Sequence, residues 1–189
     1  MNDRKTDWIQ TFTGKRFWPL EPRVEDVDVR DIAHALSLVC RFSGHCSEHY
    51  SVAQHSVLVV AEVEGWLKKH LPNEPPNAGK KTLRAALLHD AAEAYLADVV
   101  RPVKQHLIGY KEAEDRISGV VAQKYDVSYP WPPPIAWADN VLLATERRDL
   151  MAAGLQWELS QKPSERQITP WRPQYAERVF LQVFEGLTA

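Results

Sequence analysis

The chain has no apolar run approaching the roughly 20 residues that cross a bilayer. A membrane-spanning reading is therefore set aside. Its first ten residues, MNDRKTDWIQ, are polar and hold no apolar core of a secretory signal. Cysteine is scarce: Cys40 and Cys46 are the two present, and they do not form a CxxC pair. That excludes a disulfide framework and a zinc knuckle, and two reduced thiols in a cytoplasmic protein are expected instead. There is no basic excess. Lys and Arg number 23 against 25 Asp and Glu, for a formal net charge of -2. The electrostatic footprint of a protein that grips a nucleic acid polymer is missing. A small anionic ligand stays open, because it needs only a few local cations. No internal repeat and no low-complexity tract appears.

What is present is ordinary globular material. The chain has 189 residues, 44% hydrophobic and 25% charged, enough for one domain with a real core. Residues 11–20, TFTGKRFWPL, read as a short hairpin or an extended arm. Asp28 or Asp31 caps a helix through IAHALSLVC, and residues 40–50 read as a loop around Gly44. Ser51 and Gln54 fit a capping box. The helix after them carries Val59, Val63, Trp66 and Leu67 at helical spacing and closes near Lys68 and Lys69. Residues 71–80, with three prolines, read as an exposed loop. Further helices are expected over about 82–96, 110–125, 135–150 and 174–187. All strong periodic signals are helical, so the fold class is all-α: a helical bundle with a short N-terminal extended or hairpin segment.

The informative stretch is LLHDAAEAYLAD, residues 87–98. His89 and Asp90 are neighbours on the expected helix, pointing about 100° apart, and Glu93 shares their face. A core-facing helix normally carries Leu or Ala there. His, Asp and Glu cost several kcal/mol of desolvation unless they meet a partner or a metal. His55 lies one turn into the capped helix, and Asp139 interrupts the apolar run IAWADNVLL. Two imidazoles and two carboxylates form a mixed nitrogen/oxygen set. It suits a divalent transition metal with open positions better than a closed structural zinc site, and Mg²⁺ less well.

The ordered set H…HD…D, with VAQHS and LLHDAAEA as its contexts, resembles the HD superfamily of metal-dependent phosphohydrolases. RDIAHALSLVCRF, YSVAQHS and LLHDAAEAYLADVVRPVK are similar to one compact branch of it, over residues 12–150 of a single domain spanning 1–189. That branch holds deoxynucleoside 5′-monophosphatases and phage enzymes that cleave dATP to deoxyadenosine and triphosphate. The resemblance implies an HD-type helical bundle, often a homo-oligomer. It also implies metal ligation by His55, His89, Asp90 and Asp139, with Co²⁺, Mn²⁺, Fe²⁺, Ni²⁺ or Zn²⁺ as the ion. Glu93 matches the acid that orients or deprotonates the attacking water, and Asp98 an acid near phosphate and sugar. Arg41 and Phe42 match a pair contacting nucleotide, and Lys104 a cation on phosphate. The expected substrate is a small-molecule deoxynucleotide, first dATP and alternatively a dNMP. The last forty residues lie outside the match.

Plainer readings compete at each position. His89 and Asp90 alone would be a solvated surface pair, Glu93 a helix-favouring carboxylate, Asp98 a turn residue and Phe42 a core residue. Lys15, Arg16 and Arg101 are the further cations a triphosphate would need. Trp18 reads as packing before base contact. Glu146 through Asp149 read as a solvated or salt-bridged charge run. A nucleotide sensor on the same scaffold is the non-enzymatic alternative. A second-messenger phosphodiesterase would want additional histidine ligands, and none is found at suitable places.

Overall fold

The computed structural model describes residues 4–73 and 75–189. The two short strands β1 (Ile9–Gln10) and β2 (Arg16–Phe17) pair antiparallel, Ile9 opposite Phe17. Gly14 takes φ +83 in the turn between them, a conformation that favours glycine. The hairpin is tied to α1 (Val29–Leu38) by Asp31, whose carboxylate accepts from the Thr13 backbone N–H at 2.6 Å and its hydroxyl at 2.9 Å. Asp31 is thus not the helix cap. That role falls to Asp28, which accepts from the Arg30 N–H at 3.0 Å.

The bundle is built on α2 (Val52–His70), which packs against α1, α3 (Pro76–Leu88), α7 (Pro133–Leu150) and α8 (Pro173–Thr188). Its first five residues, 52–56, are all buried, as expected of a helix enclosed on every side. Ser51 caps it, accepting from the Gln54 N–H at 3.2 Å. Only half of the expected capping box forms. The Gln54 amide donates to the Thr169 carbonyl at 2.8 Å and accepts from the Trp171 N–H at 2.8 Å, clasping the chain that follows α7. The core residues Ile32, Leu36, Val59, Val63, Leu87, Ile117, Leu142 and Phe180 are essentially inaccessible. Together they form one cluster, the arrangement expected of a single bundle core.

Two boundaries differ from expectation. α3 begins at Pro76, inside the stretch read as a loop. Proline suits the first helical position, and α7 and α8 also start on a proline. The helix expected over 82–96 breaks after Leu88, and α4 (Glu93–Leu96) follows a tight turn. The His89 ring bonds the Ala86 carbonyl at 2.8 Å, the acceptor that the Asp90 N–H would use in a continuing α-helix. Bonds then tighten to three-residue spacing, as in Ala91 N–H to the Leu88 carbonyl at 3.0 Å and Glu93 N–H to the Asp90 carbonyl at 3.0 Å. A further one-turn helix, α5 (Arg101–Lys104), was not anticipated. It is followed by α6 (Tyr110–Lys124), close to its expected span. Among the described residues, no helix is long and apolar enough to cross a membrane.

Candidate metal centre

Three elements deliver four side chains to one point. α2 brings His55, the turn after α3 brings His89 and Asp90, and α7 brings Asp139. Asp90 Oδ2 stands 3.2 Å from His89 Nε2 and 3.6 Å from His55 Nε2. Asp139 Oδ1 stands 3.3 Å from His55 Nε2. One ligand atom from each of His55, His89 and Asp139 lies within 4.8 Å of the other two. Donors held about 2.1 Å from a common ion stand roughly 3–4 Å apart, so these separations suit a shared cation. Both Nε2 atoms are buried and have no hydrogen-bond partner among the described residues. An orphaned buried nitrogen is costly, and a cation among the four groups would satisfy both. The His and Asp donors could therefore hold a metal ion.

The remote ring nitrogens are occupied. His89 Nδ1 pairs with the Ala86 carbonyl at 2.8 Å. His55 Nδ1 pairs with Glu146 Oε1 at 2.6 Å. This outer bond to a carbonyl or carboxylate is the pattern that orients metal-binding histidines. Glu146 is wholly buried, and its second oxygen accepts from Arg41 Nη2 at 3.1 Å. Of the expected solvated or salt-bridged face, the ion pair is found, but Glu146 is buried inside the bundle and not on the surface. The signal was there: Glu146 follows Asp139 by seven residues, nearly two full turns, so both lie on one face of α7. Of its neighbours in that run, Arg148 is exposed and chelates Asp149, whose carboxylate is largely covered.

The electrostatics follow from burial and sign. Around His55, burial and Arg41 oppose protonation. The Glu146 and Asp139 carboxylates outweigh them and push the imidazole up to about 9. The same negative well that draws a proton onto a buried ring draws a divalent cation. Burial works against the charged form of Asp139, yet His55 holds its carboxyl down at about 2. Asp90 is likewise buried but held well below the usual range by His89, His55 and Arg41. Glu93 goes the other way: burial first, then the charges of Asp90 and Asp98, push it well above its ordinary value. Burial also raises Asp98.

Above these groups opens a cavity of about 550 Å³, within the roughly 300–1,000 Å³ of small-molecule pockets. Asp90, Glu93, Asp98 and Asp139 form its acidic floor, with Arg41, Arg101 and Lys104 beside them. Phe42, Leu143, Met151 and Trp157 form an apolar wall. All nine residues singled out by sequence thus gather around one space, with His55 and His89 beneath it. The cations are partly committed. Lys104 is ion-paired to Glu114 and stands 3.9 Å from Glu93, and Arg41 stands 3.7 Å from Asp90. Of the three further cations considered, Arg101 alone reaches the cavity, 4.0 Å from Asp139. Lys15 pairs with Asp28 at 3.0 Å, and Arg16 lies 4.6 Å over the Trp8 ring. Trp18 is buried under Arg4, whose guanidinium sits 4.0 Å from its ring. The tryptophan that reaches the cavity is Trp157, from the final forty residues, 6.0 Å from the Phe42 ring.

Phe42 and Ser43 take φ +55 and +51, a left-handed turn that costs about 1–2 kcal/mol per residue. The surrounding chain imposes it. Arg41 N–H donates to the Tyr50 carbonyl at 2.9 Å, Ser47 N–H to the Leu150 carbonyl at 2.8 Å, and Cys40 bridges to Ser51. The loop is thereby pinned with Arg41 and Phe42 at the cavity rim.

Fold and site together define an all-helical protein carrying a His/Asp cluster suited to a divalent cation. No protein-family model matches the chain. It is 36% identical over 185 residues to the uncharacterized protein YfdR of Escherichia coli K12, covering 96% of each chain. It is 32% identical over 179 residues to an uncharacterized protein of Rhodobacter capsulatus, covering 93% of this chain and 80% of that one. The chain belongs to the family of these proteins.

Proposed function

We propose that this protein is a metal-dependent phosphohydrolase of the HD type that cleaves the 5′-phosphoester bond of deoxynucleotides. The observation that carries the reading is the pair of orphaned imidazole nitrogens facing Asp90 and Asp139 at the floor of a nucleotide-sized cavity. His55, His89, Asp90 and Asp139 would hold the ion, here a divalent transition metal. Once bound, such an ion polarises a phosphoryl oxygen and makes water a competent nucleophile near neutral pH.

The remaining steps belong to the chain's own side chains. Glu93 is nine-tenths enclosed and its Oε2 has no hydrogen-bond partner among the described residues. It accepts a proton from the attacking water, a role suited to a carboxylate that lines the cavity beside the cation site. Arg41 and Lys104 bind phosphate oxygens and offset the charge that builds on them. The bond from phosphorus to O5′ breaks, and Asp98, which lines the same cavity, supplies the proton to the departing alkoxide. The wall of Phe42 and Trp157 receives the base.

The same bond breaks in a dNMP, releasing phosphate, and in dATP, releasing triphosphate. The motifs lean toward dATP. The cation supply favours the monophosphate, because Lys15 and Arg16 are engaged elsewhere and Lys104 already serves Glu114. Metal-free protein reloaded with Mn²⁺ or Co²⁺ and given all dNMPs and dNTPs, with products separated by chromatography, tests both. The wild type is expected to release nucleoside from dNMPs. Asp90→Ala is expected to lose at least about a thousandfold in kcat/KM, since a metal supplies several kcal/mol. Equal release by both proteins removes the proposal. Tight nucleotide binding without turnover would make the protein a sensor instead.

A further inference from the structure

We propose that Glu146 is a positioning residue that fixes the cation site and the phosphate-binding arginine together. The inference rests on the function proposed above. Glu146 is wholly enclosed and touches neither the cavity nor the reacting atoms. Its two oxygens are divided between two partners: Oε1 takes His55 Nδ1 at 2.6 Å, and Oε2 takes Arg41 Nη2 at 3.1 Å.

The chemistry of a carboxylate decides what this does. An ionised carboxylate only accepts hydrogen bonds, so His55 Nδ1 must be the donor. The neutral ring then carries its free lone pair on Nε2, which faces Asp90 and Asp139. That tautomer is the one a cation needs. The other metal-facing ring has no such dependence. His89 donates Nδ1 to a main-chain carbonyl of its own helix, and no side-chain substitution removes that acceptor. His55 owes its tautomer to one side chain, and the same side chain holds Arg41 at the cavity rim.

A neutral isostere cannot do both jobs. Glutamine has one acceptor oxygen and one donor amide. With the oxygen toward His55, the amide meets the Arg41 guanidinium donor to donor, and Arg41 is released. With the oxygen toward Arg41, the amide donates to Nδ1, the proton moves to Nε2, and the lone pair for the cation is lost. Either orientation breaks one function. Leu142 and Thr145 flank the site on α7 and are also buried, so solvent cannot stand in for the missing acceptor.

The test is calorimetric titration of metal-free wild type, Glu146→Gln and Glu146→Asp with Mn²⁺, below their melting temperatures and with folding checked by far-UV circular dichroism. KM for a dNMP is measured alongside. Glu146→Gln is expected to weaken Mn²⁺ binding about 10- to 100-fold, to raise KM, or both. Glu146→Asp keeps both acceptors but is one methylene short of spanning the two partners, so at least one readout worsens. Folded Glu146→Gln with Mn²⁺ affinity and KM within about twofold of wild type overturns the inference. Should Glu146→Gln fail to fold, the same null result in Glu146→Asp overturns it. Wild type that takes up no Mn²⁺ removes the proposed function as well. Wild type that binds Mn²⁺ normally beside unaffected variants removes this inference alone.

Discussion

Two buried glutamates lie on opposite sides of the same acidic floor, and they live in opposite environments. Glu146, beneath it, has both oxygens bonded, and Arg41 and His55 hold its carboxyl below the ordinary range despite complete burial. Glu93, at the cavity, leaves Oε2 without a hydrogen-bond partner among the described residues, has Lys104 only at 3.9 Å, and is pushed well above the ordinary range by burial and by Asp90 and Asp98. One carboxylate is satisfied and the other is not. A satisfied buried charge anchors its neighbours, whereas an unsatisfied one costs stability and is tolerated where chemistry uses it. The difference separates the side of the centre that holds geometry from the side that reacts.

Amide substitutions at the two positions sharpen this contrast most. Glu93→Gln is expected to lower kcat by about two to four orders of magnitude, the usual yield of a general base, while calorimetry finds Mn²⁺ affinity little changed. In metal-free protein the two amides should move the melting temperature in opposite directions. A carboxyl raised above its unfolded value takes up more protons when folded. Its ionisation therefore erodes stability as pH climbs past the glutamate value of 4.5. Glu93→Gln abolishes that erosion and should melt higher at neutral pH. A carboxyl lowered on folding stabilises above 4.5, and that gain fades as pH falls through the folded value. Glu146→Gln leaves either the buried Arg41 guanidinium or His55 Nδ1 without its acceptor and should lose about 3–5 kcal/mol at neutral pH. Shifts of the same sign in both variants would erase the distinction drawn above.

The apolar wall gives a smaller effect. Trp157→Ala should raise KM through about 1–3 kcal/mol of lost base stacking, roughly five- to a hundredfold, leaving kcat and Mn²⁺ affinity as in wild type. An unchanged KM would remove Trp157 from the substrate site. The smallest effect belongs to the clasp of the chain after α7, where Asp149 accepts from the Ile168 N–H at 2.8 Å. Asp149→Asn should cost about 1 kcal/mol, or roughly 2–4 °C in melting temperature, without touching Mn²⁺ affinity. A change in Mn²⁺ affinity there would tie the clasp to the cation side.

Much of this was legible in the residues. Helical periodicity marked α1, α2, α6, α7 and α8 within a few positions, and prolines marked the starts of α7 and α8. His89, Asp90 and Glu93 stood out because an apolar helix has no use for three titratable groups in one turn. Glu146 did not stand out, because it sits beside Arg147, Arg148 and Asp149 and a charge run looks solvated from its neighbours alone. Its two-turn spacing from Asp139 was readable, but nothing local says that this face of α7 meets the N-terminal turn of α2. The break after Leu88 was invisible for a similar reason: a ring bonding the carbonyl three residues back is a choice of rotamer, not of residue type. Trp157 lies in a segment without periodicity, and tertiary bonds such as those of Gln54 with Thr169 and Trp171 and of Asp149 with Ile168 show how that segment is held against the bundle.

By itself, the order of residues determined that the chain is helical, where most of its helices run, and which side chains are too polar for the faces they occupy. Those properties depend on neighbours three and four positions away, and hydrophobic burial acts on them directly. The tertiary structure alone decided which distant charges meet: Glu146 with His55 and Arg41, Arg101 rather than Lys15 or Arg16 at the cavity, and Trp157 rather than Trp18 on its wall. The physical reason is range. Helix formation is settled by contacts within a turn or two. A buried charge is settled by whichever group the packing of other helices carries to within hydrogen-bonding distance.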